Sequence, residues 1–117
     1  MSTGTKKRVV VTGLGVVSPL GLDVQETWKN LIAGKSGVSK VTRFDVSAYP
    51  SKIAGEVKNF EVDKWVAKKE QKKMDTFIHY AMSAGKMAMD DSGLEVSESL
   101  ADRLESSFQR AWVAFQP

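Results

Sequence analysis

The chain has 117 residues, 42% of them hydrophobic and 26% charged, the balance of one small globular domain. No cysteine is present, which excludes a disulfide framework and makes the cytoplasm the default compartment, and no apolar run reaches the length of a membrane span. The net charge of +3 is concentrated in Asp63 to Lys73, where Lys64, Lys68, Lys69, Lys72 and Lys73 face Asp63 and Glu70, so it marks a surface patch and not a nucleic-acid-binding composition.

Met1 to Lys7 is small, polar and basic, without the apolar core of a secretory signal. Lys7 to Thr12 then predicts a strand. Three consecutive β-branched valines suit a strand buried on both faces, and Thr12-Gly13-Leu14-Gly15 turns the chain sharply. A dinucleotide-binding turn would need a third glycine where Ser18 stands, and Pro19 and Gly21 delay the next helix to about Asp23. That reading is therefore disfavoured. The small Thr12, Gly13, Gly15 and Ser18 suit close backbone approach to another segment, a structural role.

Asp23 with Glu26 three residues on has the form of a capping box at the start of a helix. Val24, Trp28, Leu31 and Ile32 share one face of it, and Gly34 stops it. Gly34-Lys35-Ser36 imitates the end of a phosphate loop, but Lys29 occupies the position of its first glycine, and the motif closes a helix where a phosphate loop opens one. Lys35 to Tyr49 reads as loop with Phe44 as a buried anchor, Pro50 restricts the chain, and Ile53 to Val57 reads as a short strand.

A long helix is expected from Lys69 to Asp91. Met74, Phe77, Ile78, Ala81, Met82, Gly85 and Met89 trace its apolar stripe, and Ala81, Ser83, Ala84, Gly85 and Ala88 are small enough for a close neighbour. The methionines read as core filler and His79 as a helix-face side chain, since no second histidine or cysteine could share a metal. Asp91-Ser92-Gly93 ends the helix. Leu100, Leu104, Phe108, Ala111, Trp112 and Phe115 then recur at helical spacing, an amphipathic helix over Ser97 to Phe115.

Several motifs come in one order: VVVTGLGVVSPLG, AGKSGV at Ala33 to Val38, Phe44-Asp45, IAGEVKNF at Ile53 to Phe60, KEQKKMD at Lys69 to Asp75 and DSGL at Asp91 to Leu94. Together they resemble the N-terminal part of the elongating β-ketoacyl-acyl carrier protein synthases, type II in particular, from about Lys7 to Arg103. The resemblance implies an α/β, partial thiolase-like fold: the N-terminal strand and helices of the first of two similar halves, in a family of homodimers. It implies fatty acid biosynthesis by decarboxylative Claisen condensation, with acyl carrier protein as partner and no cofactor. Basic residues of KEQKKMD would contact the carrier protein, which maps onto Lys69, Lys72 and Lys73.

The same resemblance places a cysteine nucleophile and two histidines downstream of the matched region. With no cysteine, and His79 as its one histidine, the chain alone is expected to be inactive. Residues 104–117 depart from the family pattern, and the division expected is 1–103 as synthase and 104–117 as a frameshifted tail. One permitted codon set for Leu104 onward, read two bases later, encodes GVVIPAGVGGLP, similar to the family's strand and glycine turn. Two alternatives are a non-catalytic fragment that binds a carrier protein or a synthase, and a nucleotide-binding oxidoreductase fragment. A sheet of one or two strands predicts marginal stability for the chain by itself.

Overall fold

The computed structural model describes residues 4–101 and 103–104. In chain order the elements are α1 (Val24–Ile32), β1 (Val38–Lys40), β2 (Ile53–Gly55), a 3-10 turn (Val62–Lys64), α2 (Lys68–Gln71), α3 (Thr76–Ser92) and α4 (Glu98–Ala101). This is a mixed α/β arrangement. None of the described helices is long and apolar enough to cross a membrane.

The valine run does not form the expected strand. Residues 7–12 have no regular structure, Val9 is 94% and Val11 79% exposed, and the valine backbone groups pair with no other backbone group among the described residues. The reason is a missing neighbour, because β structure is a property of pairs and the described chain lays no strand beside this one. What lies beyond the valines is firmly placed. A Cβ on Gly13 would stand 2.7 Å from Ser92 N and 2.8 Å from Ser92 Cβ, and one on Gly15 would stand 2.7 Å from Ala88 N and 2.9 Å from Met87 Cβ. Both glycines thus lie directly on α3, and the Leu14 amide donates to Asp91 Oδ2 at 2.9 Å. The close approach expected of these small residues is present.

Ser18 to Gly21 closes a tight turn, with Ser18 N donating to Gly21 O at 2.9 Å and Gly21 N to Ser18 O at 3.2 Å. Asn30 Nδ2 reaches back to Leu20 O at 2.6 Å, and Ser18 Oγ lies 3.2 Å from Thr27 Oγ1, so α1 is seated on this turn. Its start follows the capping chemistry. Asp23 accepts from the Glu26 amide at 2.7 Å, while the Glu26 carboxylate accepts from the Leu22 amide at 2.9 Å, one residue before the cap itself. Beyond its C-cap Ala33, Gly34 takes a left-handed φ of 67°. Asp23→Ala is expected to destabilise α1 by about 1 kcal/mol. Faster amide exchange confined to α1, with Asp23→Ser restoring the wild-type rate, would be the check; an unchanged rate in the alanine variant would refute the role of the cap.

The segment from Lys35 to Tyr49, expected to be loop throughout, contributes β1. It pairs antiparallel with β2 in the register Val38↔Gly55, Ser39↔Ala54 and Lys40↔Ile53, and Val41 N extends the ladder to Lys52 O at 3.0 Å. Val-Ser-Lys carries little strand signal by itself, and the pairing with β2 makes it one. Phe44 is not the anchor expected: it is 60% exposed and meets Tyr49 edge-on, with centroids 6.0 Å apart. Val46 takes the buried place, inside a turn whose carbonyls at Val46, Ser47 and Tyr49 all accept from Lys52 Nζ.

The single helix expected from Lys69 to Asp91 is two helices. Asp75 has extended backbone, φ −73° and ψ 159°, and serves as N-cap of α3, while Lys72 closes α2. Aspartate is poorly suited to a helix interior, and the break falls there although its side chain makes no capping hydrogen bond. Gly93, with a φ of 62°, ends α3 as expected. The helix expected over Ser97 to Phe115 is represented by one turn, α4, and its residues from 105 onward lie outside the described residues.

Among the described residues the buried hydrophobic side chains are Val46 and Val66. Trp28, Leu31 and Ile32, the apolar face of α1, are all exposed. The sequence carries apolar patterning for a larger core than these residues close.

Candidate functional site

Lys68 and Lys69 lie on α2, Lys72 at its C-cap and Lys73 one residue beyond. The turn before them is anchored from inside: Val66 is buried, and Gln71 Nε2 donates to Val66 O at 2.7 Å and to Asp63 Oδ1 at 2.8 Å. That anchoring leaves all four lysines exposed. Lys73 pairs with Glu70 at 3.2 Å and Lys64 with Glu61 at 2.8 Å, both at the surface, where such pairs contribute little. Lys68, Lys69 and Lys72 have no carboxylate partner among the described residues. The end of α2 at Gln71 changes the expected layout, because Lys72 and Lys73 lie past its last residue and not inside one continuous helix. The cations instead spread along a short helix and the link that follows it.

A second cluster, which no sequence pattern announced, ties the hairpin to α3. Glu56, just past β2, is buried, and its carboxylate accepts from Thr42 N at 3.1 and 3.2 Å, Thr42 Oγ1 at 2.9 Å and Arg43 N at 3.3 Å. These hydrogen bonds, from the Thr42 hydroxyl first and then its amide, hold the carboxyl below the usual glutamate range against the opposing effect of burial. Arg43 Nη2 donates to Val57 O at 3.2 Å and is 2.7 Å from the Tyr80 hydroxyl, and Tyr80 meets Phe60 edge-on at 4.9 Å. The cluster is a bracket of hydrogen bonds between chain segments.

Between the 3-10 turn and α3 lies an open groove of about 760 Å³, with Trp65, Ile78, Ala81, Met82 and Gly85 on its walls and Lys64, Lys86 and Asp90 at its rim. Lys86 and Asp90 form an ion pair along α3. His79 Nε2, on the same helix, is buried without a hydrogen-bond partner among the described residues. The glycines that suggested a nucleotide loop lie on α3 and not at the N-terminus of α1, whose first turn carries Glu26 and is capped by Asp23. An anion finds no matching field at that terminus.

The chain is thus a mixed α/β unit with a glycine loop on a long helix and a two-stranded hairpin. The model of the β-ketoacyl synthase N-terminal domain matches residues 6–109, and the chain belongs to that family. The 3-oxoacyl-[acyl-carrier-protein] synthase 2 of Coxiella burnetii is 50% identical over 99 residues, covering 85% of this chain and 24% of the relative. The synthase 2 of Vibrio cholerae is 46% identical over 100 residues, covering 86% and 24%. Among solved structures, the ishigamide ketosynthase/chain length factor aligns with a TM-score of 0.67 at 40% identity, over 74% of this chain and 21% of that one. A second, a type II polyketide synthase acyl-carrier protein in complex with its ketosynthase bound to the hexaketide, aligns with a TM-score of 0.51 at 34% identity, over 74% and 19%. The chain thus spans about a quarter of the length of the curated relatives it matches.

Proposed function

We propose that this chain is the N-terminal quarter of a type II β-ketoacyl-acyl carrier protein synthase and supplies carrier-protein contacts through Lys69, Lys72 and Lys73. The reaction of the whole enzyme would be acyl transfer from carrier thioester to a cysteine sulfur. Malonyl carrier protein would then lose carbon dioxide, and its carbanion would attack the acyl thioester, releasing the sulfur. This chain has no cysteine and does not supply that nucleophile. Its part is recognition.

The observation that carries this reading is the exposed lysine run of α2, with Lys69 and Lys72 free of carboxylates among the described residues, in a chain whose relatives are named for acyl-carrier-protein substrates. Carrier proteins are acidic, and complementary charge accelerates and orients encounter without demanding a deep pocket. The test is a fluorescence-anisotropy titration of labelled acyl carrier protein with the chain at low salt. The triple variant Lys69→Glu, Lys72→Glu, Lys73→Glu is expected to weaken binding by about tenfold or more, and added salt to weaken the wild type. An unchanged dissociation constant would refute the assignment.

A further inference from the structure

Helix α2 has four residues, and its N-cap Ala67 makes no side-chain capping hydrogen bond. One helical turn is not stable by itself in water, because the first turn fixes several residues for a single hydrogen bond. A contact from Gln71 holds it in place. The Gln71 side-chain amide carries two protons and places both, one on Val66 O at 2.7 Å and one on Asp63 Oδ1 at 2.8 Å. Val66 is buried, and its own amide donates to Val62 O at 2.9 Å, in the 3-10 turn. Gln71, the last residue of α2, thus pins the helix to the turn before it. The same contact bears on charge. Glu61 pairs with Lys64 and Glu70 with Lys73, while Asp63 rests on a neutral donor, and Lys68, Lys69 and Lys72 have no carboxylate partner among the described residues.

We propose that Gln71 is a positioning residue for carrier-protein binding: it locks α2 onto the 3-10 turn, so that Lys69 and Lys72 are presented from a fixed backbone, and it keeps the Asp63 carboxylate on a neutral donor. This role rests on the lysine assignment above and adds to it a residue without charge. Groups ordered before the encounter lose less conformational freedom on binding, so a fixed backbone under the lysines favours the complex. Hydrogen bonding, and not shape, is the chemistry required. Methionine matches the length of Gln71 and suits a helix equally, but its side chain donates nothing. In place of Asp63, asparagine keeps an accepting oxygen without the charge, and alanine removes both.

The experiment titrates labelled acyl carrier protein with the full 117-residue chain by fluorescence anisotropy at low salt, and follows amide exchange in parallel. Gln71→Met leaves every charge in place, yet it is expected to weaken binding by about threefold to tenfold. It should also raise exchange at Glu70, Gln71 and Lys73, whose amides bond within α2 and just past it, while α3 amides keep their protection. Asp63→Ala should bind about threefold or more weaker than Asp63→Asn, although the two remove the same charge. Added to the triple variant Lys69→Glu, Lys72→Glu, Lys73→Glu, Gln71→Met should have no further effect on binding. Unchanged affinity or exchange in Gln71→Met would overturn the proposal, as would equal affinities for the two Asp63 variants. So would an undiminished loss in the triple background, which would assign Gln71 to general stability. If Gln71→Met does not fold, the Asp63 pair decides. Failure of the lysine assignment reads differently: the triple variant then binds like the wild type, and the role of Gln71 falls with it.

Discussion

Gly15→Val is expected to detach the glycine loop from α3. The new Cβ would overlap the Ala84 carbonyl oxygen and crowd Ala88 N and Met87 Cβ, at 2.7 and 2.9 Å. Two of those three atoms are helix backbone and cannot swing aside as the end of a side chain could. Overpacking of this kind costs about 1–3 kcal/mol, and in a chain with so small a closed core the loop would separate before α3 bends. The measurement is amide exchange at Leu14, whose N–H is held by Asp91 Oδ2 at 2.9 Å. Protection there should vanish in Gly15→Val, while α1 amides keep theirs. Gly85→Ala is the matched control on the same helix: its Cβ meets open space, so it should stabilise α3 by up to about 1 kcal/mol through helix propensity. Opposite signs for the two glycines are the expected result. Equal effects would show that the loop does not lie on α3.

The second large effect is expected at Glu56. Its carboxylate collects donors from Thr42 and Arg43, so Glu56→Ala leaves two backbone amides and a hydroxyl without their acceptor, and Glu56→Gln keeps the shape while removing the charge. Exchange at Thr42 and Arg43 should rise by about tenfold or more in the alanine variant, the scale of a lost hydrogen bond to a charged group, and by less in the glutamine variant. The pH dependence has a definite sign. The folded-state pKa of Glu56 is lowered, so the folded chain favours the carboxylate more than the unfolded chain does. Its contribution is complete above the unfolded glutamate value of about 4.3, and it is lost as pH falls from there through the folded value. Protection at Thr42 should therefore be flat near neutrality and fall in acid, and Glu56→Gln should abolish that fall. An acid response that survives in Glu56→Gln would assign it to another group, Asp45 being the nearest candidate, since the Ser47 amide at 3.0 Å holds its carboxyl low as well.

The two sites differ in how far they could be read in advance. Close approach at Gly13 and Gly15 was legible, because paired glycines after a valine run have few other uses, though α3 as the partner was not. Glu56 was illegible. A glutamate beside Val57 and Lys58 looks like any solvated charge, and its donors come from Thr42 and Arg43, more than a dozen residues earlier. The lysine run was legible as charge but not as shape. A helical register drawn through Lys69 and Lys73 assumes one continuous helix, whereas α2 ends at Gln71 and α3 starts at Thr76 after an extended Asp75.

Local chemistry settled the start and stop of α1 at Asp23 and Gly34, the stop of α3 at Gly93, the strand at Ile53 and the family itself, because caps, turns and short motifs act within a few residues. Only the tertiary structure decided that Val9 to Val11 stand exposed, that Val38 to Lys40 is a strand, that Phe44 lies outside and Val46 inside, and that α3 keeps one flank open. Burial and strand pairing depend on what the rest of the chain brings alongside. A sequence can mark a residue as apolar, but only a neighbour can bury it.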